Sequence, residues 1–241
     1  MLTGCKAQEE TSIDYSVEIP AFDKQSTPSS KRSQKAIEQV APRLITELKA
    51  KDLEFGAPVF IRIFKQERQL ELWVKGKERY QLFRTYKVAA MSGELGPKQK
   101  EGDKQAPEGF YFVPASRMNP NSRFHLSFNL GYPNGYDRAH KRTGSALMVH
   151  GAKVSIGCFA MTDPKIEEIY TLCDAALRNG QPYFRVHSFP FRMTDANMAQ
   201  HKDSKWQEFW ENLKAGYDWF EEKGVPPDVT VKDKRYVFGG S

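Results

Sequence analysis

Two side chains in "LMVHGAKVSIGCFAMTD", residues 147–163, are of types that do covalent chemistry: His150, followed by Gly151, and Cys158, preceded by Gly157. A thiol becomes a good nucleophile when a neighbouring imidazole takes its proton or stabilises the thiolate, and its attack on an acyl carbon yields a thioester. The spacing offers a way to bring the two together. An apolar run ends at His150, Gly151 permits a tight exit, and Cys158 follows eight positions on, just before a predicted helix. A cysteine at a helix N-terminus gains from the positive end of the dipole, and backbone N–H groups there can hold an oxyanion. On the residues alone, the pair is also readable as two unrelated packing residues. A metal site is discounted: two ligands do not make one, no CxxC or HExxH pattern completes it, and His125, His140, His187 and His201 are scattered.

The elements that must position this pair can be read from periodicity. Residues 1–35 are polar and rich in Ser, Pro and Lys, which reads as a tether. Over 36–52, Ile37, Val40, Leu44, Ile45 and Leu48 recur at helical spacing, with Pro42 limiting how far a regular helix extends upstream. From 58 to 90 the rhythm changes to alternation, Val59, Ile61 and Ile63 and then Leu70, Leu72 and Val74, which predicts three consecutive strands of a meander. A long Gly-, Pro- and Lys-rich segment over 92–108 precedes the strand "GFYFV", and loops of that length are usually functional. Further strands are predicted at "FHLSFNL", "SALMVHG" and "PYFRVHSFPF". After the cysteine, Asp163 is a candidate N-cap, Pro164 suits the first turn, and Asn179-Gly180 is a stop signal. Ile166, Ile169, Tyr170, Cys173, Ala176 and Leu177 form the buried face of that helix, and "WQEFWENLKAGYDWFEE" predicts an aromatic C-terminal one. The expected fold class is α+β: a largely β sandwich or barrel over 55–195, with helices at its edges and a helical extension over 196–241.

Composition bounds the rest. The chain of 241 residues, 39% hydrophobic and 12% aromatic, can bury one sizeable core. A net charge of +6 and a pI near 9.1 favour anionic partners. No run of 18 apolar residues is present to span a membrane. Leu2-Thr3-Gly4-Cys5 fits the pattern at which bacterial lipoprotein signal peptides are cut before a cysteine that becomes lipidated; the apolar segment that should precede it is not in this sequence. The three cysteines, Cys5, Cys158 and Cys173, are an odd number, so at least one thiol is free.

"VHGAKVSIGCFAMTD", with "PEGFYFV" and "YPNGYDRAHKRTG" upstream, resembles the catalytic domain of YkuD-type L,D-transpeptidases over roughly residues 57–195. The resemblance tightens towards the YafK (DpaA) branch through "GPKQKEGDKQAPEGFY" and "PFRMTDANM". It implies Cys158 as nucleophile, His150 as its base, and the backbone carbonyl of Gly151 as the group that orients the imidazole. Ser155 matches the Ser/Thr position of the motif, and the N–H groups of Gly157 and Cys158 are the implied oxyanion donors. Lys98, Asp137 and Arg138 are candidates for binding a peptide carboxylate. No cofactor is implied.

Two departures bear on the reaction. Common members separate the histidine and cysteine by about twice the distance found here. They also often carry a His before the Gly-Cys and an Arg two positions after it, where this chain has Ile156 and Ala160. The resemblance implies an enzyme of the periplasm that attacks the bond after the L centre of diaminopimelate in a peptidoglycan stem peptide, through a thioester at Cys158. Transfer to an amine gives a cross-link; transfer to water gives an amidase or L,D-carboxypeptidase. The YafK likeness favours hydrolysis, including release of a peptidoglycan-linked outer-membrane lipoprotein; the Leu2-Thr3-Gly4-Cys5 pattern separately implies outer-membrane attachment through a lipidated Cys5. A non-catalytic peptidoglycan-binding module is the alternative from another class. Nucleic-acid binding lacks a recognised motif.

Overall fold

The computed structural model describes residues 18–239. The first helix, α1 (Lys31–Lys49), begins five residues earlier than the periodicity predicted, because Ser30 and Ser33 form a reciprocal capping box at its N-terminus. Pro42 lies inside it. The segment over residues 18–30, within the stretch expected to be tether, has no regular structure but docks on the body. Phe22 stacks on Phe55 at 6.2 Å and the Thr27 hydroxyl donates to Asp174 at 2.5 Å. Its apolar and hydroxyl side chains find partners that are distant in sequence and leave no periodic signal.

The predicted meander is present as β1 (Val59–Phe64), β2 (Gln69–Lys75) and β3 (Tyr80–Lys87), followed by β4 (Gly109–Pro114) and, far along the chain, β9 (Tyr183–Phe189). These make one sheet in the order β3-β2-β1-β9-β4, with β1 and β9 parallel and the other pairs antiparallel. Every residue of β1 is buried. Val59, Ile61 and Ile63 enter the main core, and the alternate residues Phe60, Arg62 and Phe64 face the other side. A second sheet holds the short strands β5 (Met118–Asn119), β6 (Ser127–Asn129), β7 (Met148–His150) and β8 (Phe159–Ala160) in that order. The core lies between the two sheets and is closed by α1 and α3 (Asp163–Arg178), whose Ile166, Ile169, Tyr170, Cys173, Ala176 and Leu177 are all buried.

The outer face of the five-stranded sheet carries a second, aromatic core. Phe64, Phe110, Phe189 and Phe191 pack there against Phe209, Trp210, Leu213 and Tyr217 of α5 (Gln207–Lys223). The extension is not wholly helical: after α4 (Asp195–Gln200) and α5 it ends in a hairpin, β10 (Asp228–Lys232) and β11 (Arg235–Gly239). A short helix, α2 (Gly135–Ala139), links β6 to β7. The α+β class holds, with sheets enclosing a core; among the described residues no sheet closes into a barrel.

Candidate active site

β7 and β8 run parallel, with Val149 opposite Phe159 and His150 opposite Ala160. Val149 and Phe159 are fully buried in the main core, so the alternation of the strand sends Met148 and His150 to the opposite face. Cys158, immediately before β8, lies level with Met148, whose backbone N–H donates to its Sγ at 3.4 Å. The fold thus brings Cys158, at the entry to β8, beside the strand that carries His150, two positions apart along the ladder. The thiol is also 3.7 Å from the Ala146 carbonyl, a partner for its proton.

His150 is fixed from three sides. Its Nδ1 donates to the Gly151 carbonyl at 2.6 Å, which leaves Nε2 as the basic nitrogen. Phe124 stacks on its ring at 4.7 Å, and Ser127 of β6 faces it across the ladder. Gly151 is required by space: a Cβ there would lie 2.6 Å from Asp163 Oδ1 and 2.8 Å from the Phe124 carbonyl. Asp163 in turn accepts the Ala152 N–H at 2.7 Å, pinning the turn after the histidine.

Burial pushes the His150 imidazole below its ordinary pKa, and the Gly151 carbonyl counters only part of this. Burial likewise pushes the Cys158 thiol up, against the pull of the Met148 N–H and the Lys98 charge. The resting pair is therefore a neutral imidazole beside a neutral thiol, and ionisation must accompany attack. No dipole assists as expected from the sequence. β8 stands between the cysteine and α3, which begins at Asp163, five residues on.

The other candidates are placed as follows. Ser155 donates to the Cys158 carbonyl at 2.7 Å and closes the turn that presents the thiol. Gly157, at φ +86°, adopts the left-handed conformation this turn needs, but its N–H donates to Ser92 Oγ at 2.7 Å and is not a free oxyanion donor. Lys98 belongs to a cleft of about 140 Å³ that also includes Ala146, Leu147 and Ile156. Its ammonium is already held by Asp103 at 2.6 Å and the Lys100 carbonyl at 2.9 Å. Burial works to raise the Asp103 carboxyl, yet three backbone N–H groups and Lys98 outweigh it and bring it down to about 2.

Asp137 is corrected from a substrate ligand to a structural group. It is fully buried, accepts from Arg142 at 2.8 Å and from the Asn134 N–H at 3.0 Å, and caps α2. Arg138 is exposed and donates to the Pro133 carbonyl. No hydrogen bond or ion pair joins Asp137 or Arg138 to Cys158 or His150. Cys173 is sealed in the core and its thiol is pushed well up by burial and by Asp174. Cys5 lies outside the described residues. Ser92, Phe124 and Met148, which the sequence did not single out, reach the site through a hydroxyl, a ring face and a backbone N–H respectively.

A family model for the L,D-transpeptidase catalytic domain (YkuD) matches residues 58–180. YafK of Escherichia coli (strain K12) is 53% identical over 182 residues, covering 76% of this chain and 74% of its own length, and YafK of E. coli O157:H7 matches equally. Among solved structures, the helical cell shape determining protein Pgp2 of Campylobacter jejuni aligns with a TM-score of 0.44 at 16% identity, covering 78% of this chain and 80% of that one. Bd1075 of Bdellovibrio bacteriovorus aligns with a TM-score of 0.43 at 18% identity, covering 76% and 85%. With the motif at Cys158 inside the matched span and more than half of the aligned residues shared with YafK, the chain belongs to the YkuD family of L,D-transpeptidase catalytic domains.

Proposed function

We propose that this protein is a cysteine hydrolase of peptidoglycan that acts at diaminopimelate in stem peptides. Cys158 Sγ attacks the carbonyl carbon at the L centre of diaminopimelate while His150 Nε2 takes the thiol proton and passes it to the leaving amine. A thioester remains on Cys158. Water then attacks it, His150 takes the water proton, and the carboxylate leaves as the thiol is restored. The Cys158 N–H is the oxyanion donor in this reading, and the Gly157 N–H joins only by giving up Ser92. The observation that carries the proposal is the imidazole tied by Nδ1 to the Gly151 carbonyl, on the strand beside the one that Cys158 leads into.

Water as acceptor is supported by what surrounds the thiol. A transpeptidase must hold a second stem peptide and exclude water, which takes enclosing walls and groups that orient the amine. Only seven residues link His150 to Cys158, Ile156 in that link is 73% exposed, and Ala160 is a fully buried methyl where common L,D-transpeptidases often carry a guanidinium. One substrate of such a hydrolase is peptidoglycan joined to an outer-membrane lipoprotein, released by cleavage of that linkage. The same reading puts the chain in the periplasm, anchored through Cys5; palmitate labelling of the full-length product that vanishes in Cys5→Ala tests the anchor.

Purified protein incubated with a tetrapeptide donor and excess amine, and in parallel with lipoprotein-linked muropeptides, identifies the reaction by mass spectrometry. Shortened stems or freed lipoprotein are expected, lost in Cys158→Ala and kept in Cys173→Ala. Mostly cross-linked dimer would overturn the hydrolytic assignment, and full turnover in Cys158→Ala would overturn the mechanism.

A further inference from the structure

The outer face of the five-stranded sheet is covered along only part of its length. Tyr183, Arg185, His187 and Phe189 alternate onto this face from β9, and Phe110 and Phe112 from β4, with Phe110 opposite His187 and Phe112 opposite Arg185. α5 and the β10–β11 hairpin cover the end at Phe110 and Phe189. The other end opens into a recess of about 500 Å³ between the sheet and β10, with Phe112 and Tyr183 at the sheet side, Asp228 and Val231 on the hairpin side, and His187 in its lining. A concave, largely aromatic space of that size with a few polar groups is the usual form of a small-ligand site.

Two observations narrow the ligand. Phe112 is 49% exposed and lies 5.4 Å from the Tyr183 ring, so the recess presents two aromatic faces to solvent. Guanidinium groups border both: Arg117 sits 5.1 Å over Phe112 and Arg185 5.3 Å over Tyr183. Arg117 and the neighbouring Arg138 have no carboxylate partner among the described residues, and burial together with the Arg138 charge lowers the Arg117 pKa.

We propose that this recess is a second binding site, for a glycan strand of N-acetylated, carboxylate-bearing sugars. Pyranose rings present flat C–H faces that lie on aromatic rings, and guanidinium forks take carboxylates. Asp228, paired with Arg185 at the rim, adds an acceptor for sugar hydroxyls. The inference rests on the proposed substrate, since the glycan strand is the polymer from which the stem peptides hang, and its sugar carboxylates are free wherever a stem has been removed. It adds a hold on that polymer, made by residues outside the cysteine site.

The test uses the full chain and two soluble probes: peptidoglycan glycan strands stripped of stem peptides by an amidase, and chito-oligosaccharides, which carry the same N-acetylated rings without carboxylates. Phe112→Ala with Tyr183→Ala is expected to weaken binding of both probes about tenfold or more, with an unchanged melting temperature. Arg117→Ala with Arg138→Ala is expected to weaken the strands several-fold and leave the chito-oligosaccharide unaffected. Undiminished strand binding in the aromatic double variant, or preference for a single-stranded oligonucleotide over the strands, would overturn the site. Turnover of a sugar-free tetrapeptide by the unaltered protein is measured alongside. Turnover without strand binding removes this inference alone, and binding without turnover removes the catalytic proposal alone.

Discussion

At the scale of single residues, the site depends on how firmly one ring is held. Gly151→Ala would drive a methyl group into Asp163 and the Phe124 carbonyl, displacing the carbonyl that fixes Nδ1 of His150. The expected result is a rate lower by about 10²-fold with a stability loss of about 1–3 kcal/mol, read by kcat and urea unfolding. His150→Ala should lose at least as much rate with less effect on folding. The imidazole is held below its usual pKa by burial, so it remains an unprotonated base as pH falls through 6.5. The acid limb of kcat/KM is therefore expected to have its midpoint below 6.5. The thiol is held above 9, so alkylation of Cys158 in the resting protein should accelerate with pH beyond 9, and Lys98→Met, which removes an attractive charge, should shift that curve higher still. His150, Gly151, Ser155 and Cys158 were legible in the sequence because they sit within one short motif. Ser92 was not: its hydroxyl meets the Gly157 N–H across 65 positions, and a bond to backbone requires no particular partner side chain.

At the scale of elements, the long segment over 92–108 is tied down at its far end. Lys65, fully buried at the end of β1, donates to the Gly96 carbonyl at 2.7 Å, the Ala106 carbonyl at 3.1 Å and Glu108 at 2.9 Å. Glu108 also accepts from the Gly96 N–H and from Trp210 of α5. This network draws together both ends of the loop that carries Lys98, and links it to the C-terminal helix. Glu108→Ala would leave Lys65 buried without a counter-charge, at a cost of about 3–5 kcal/mol measured by denaturant unfolding. Proteolysis between 98 and 104 should quicken in that variant. Trp210 and its aromatic neighbours were visible as a helix pattern, but their attachment to the loop was not, since periodicity carries no information on pairing. The terminal hairpin was missed for a local reason. Its turn uses Asp233 and Lys234, both at positive φ, in place of the Asn-Gly or Asp-Gly pair that marks such turns.

At the scale of the whole molecule, two cores share one wall. His187 sits in that wall between Phe60 and Phe110, each 4.6 Å away, and burial with the Arg185 and Arg62 charges holds it well below its ordinary pKa. In the unfolded chain it takes a proton near pH 6.5, so below that pH the unfolded state binds more protons than the native one. Stability contributed by the neutral ring is thus complete above 6.5 and is lost as pH falls, by up to about 1.4 kcal/mol per unit. His187→Phe should flatten the difference between urea midpoints at about pH 5 and about pH 7.5. His150 has the same sign and leaves a residual slope. The α+β class and the position of the thiol were legible without the structure; the shared wall was not, because β9 enters the sheet between β1 and β4 from more than 60 residues downstream. That strand order separates ancestry from autonomy. The stretch that matches the family ends at residue 180, three residues before β9 begins, and the helix that seals the outer face comes later still. Excised at the family boundary, the fragment would keep every atom of the reacting pair but leave β1 and β4 with two bare edges and an uncovered row of phenylalanines, a template for aggregation instead of a minimal enzyme.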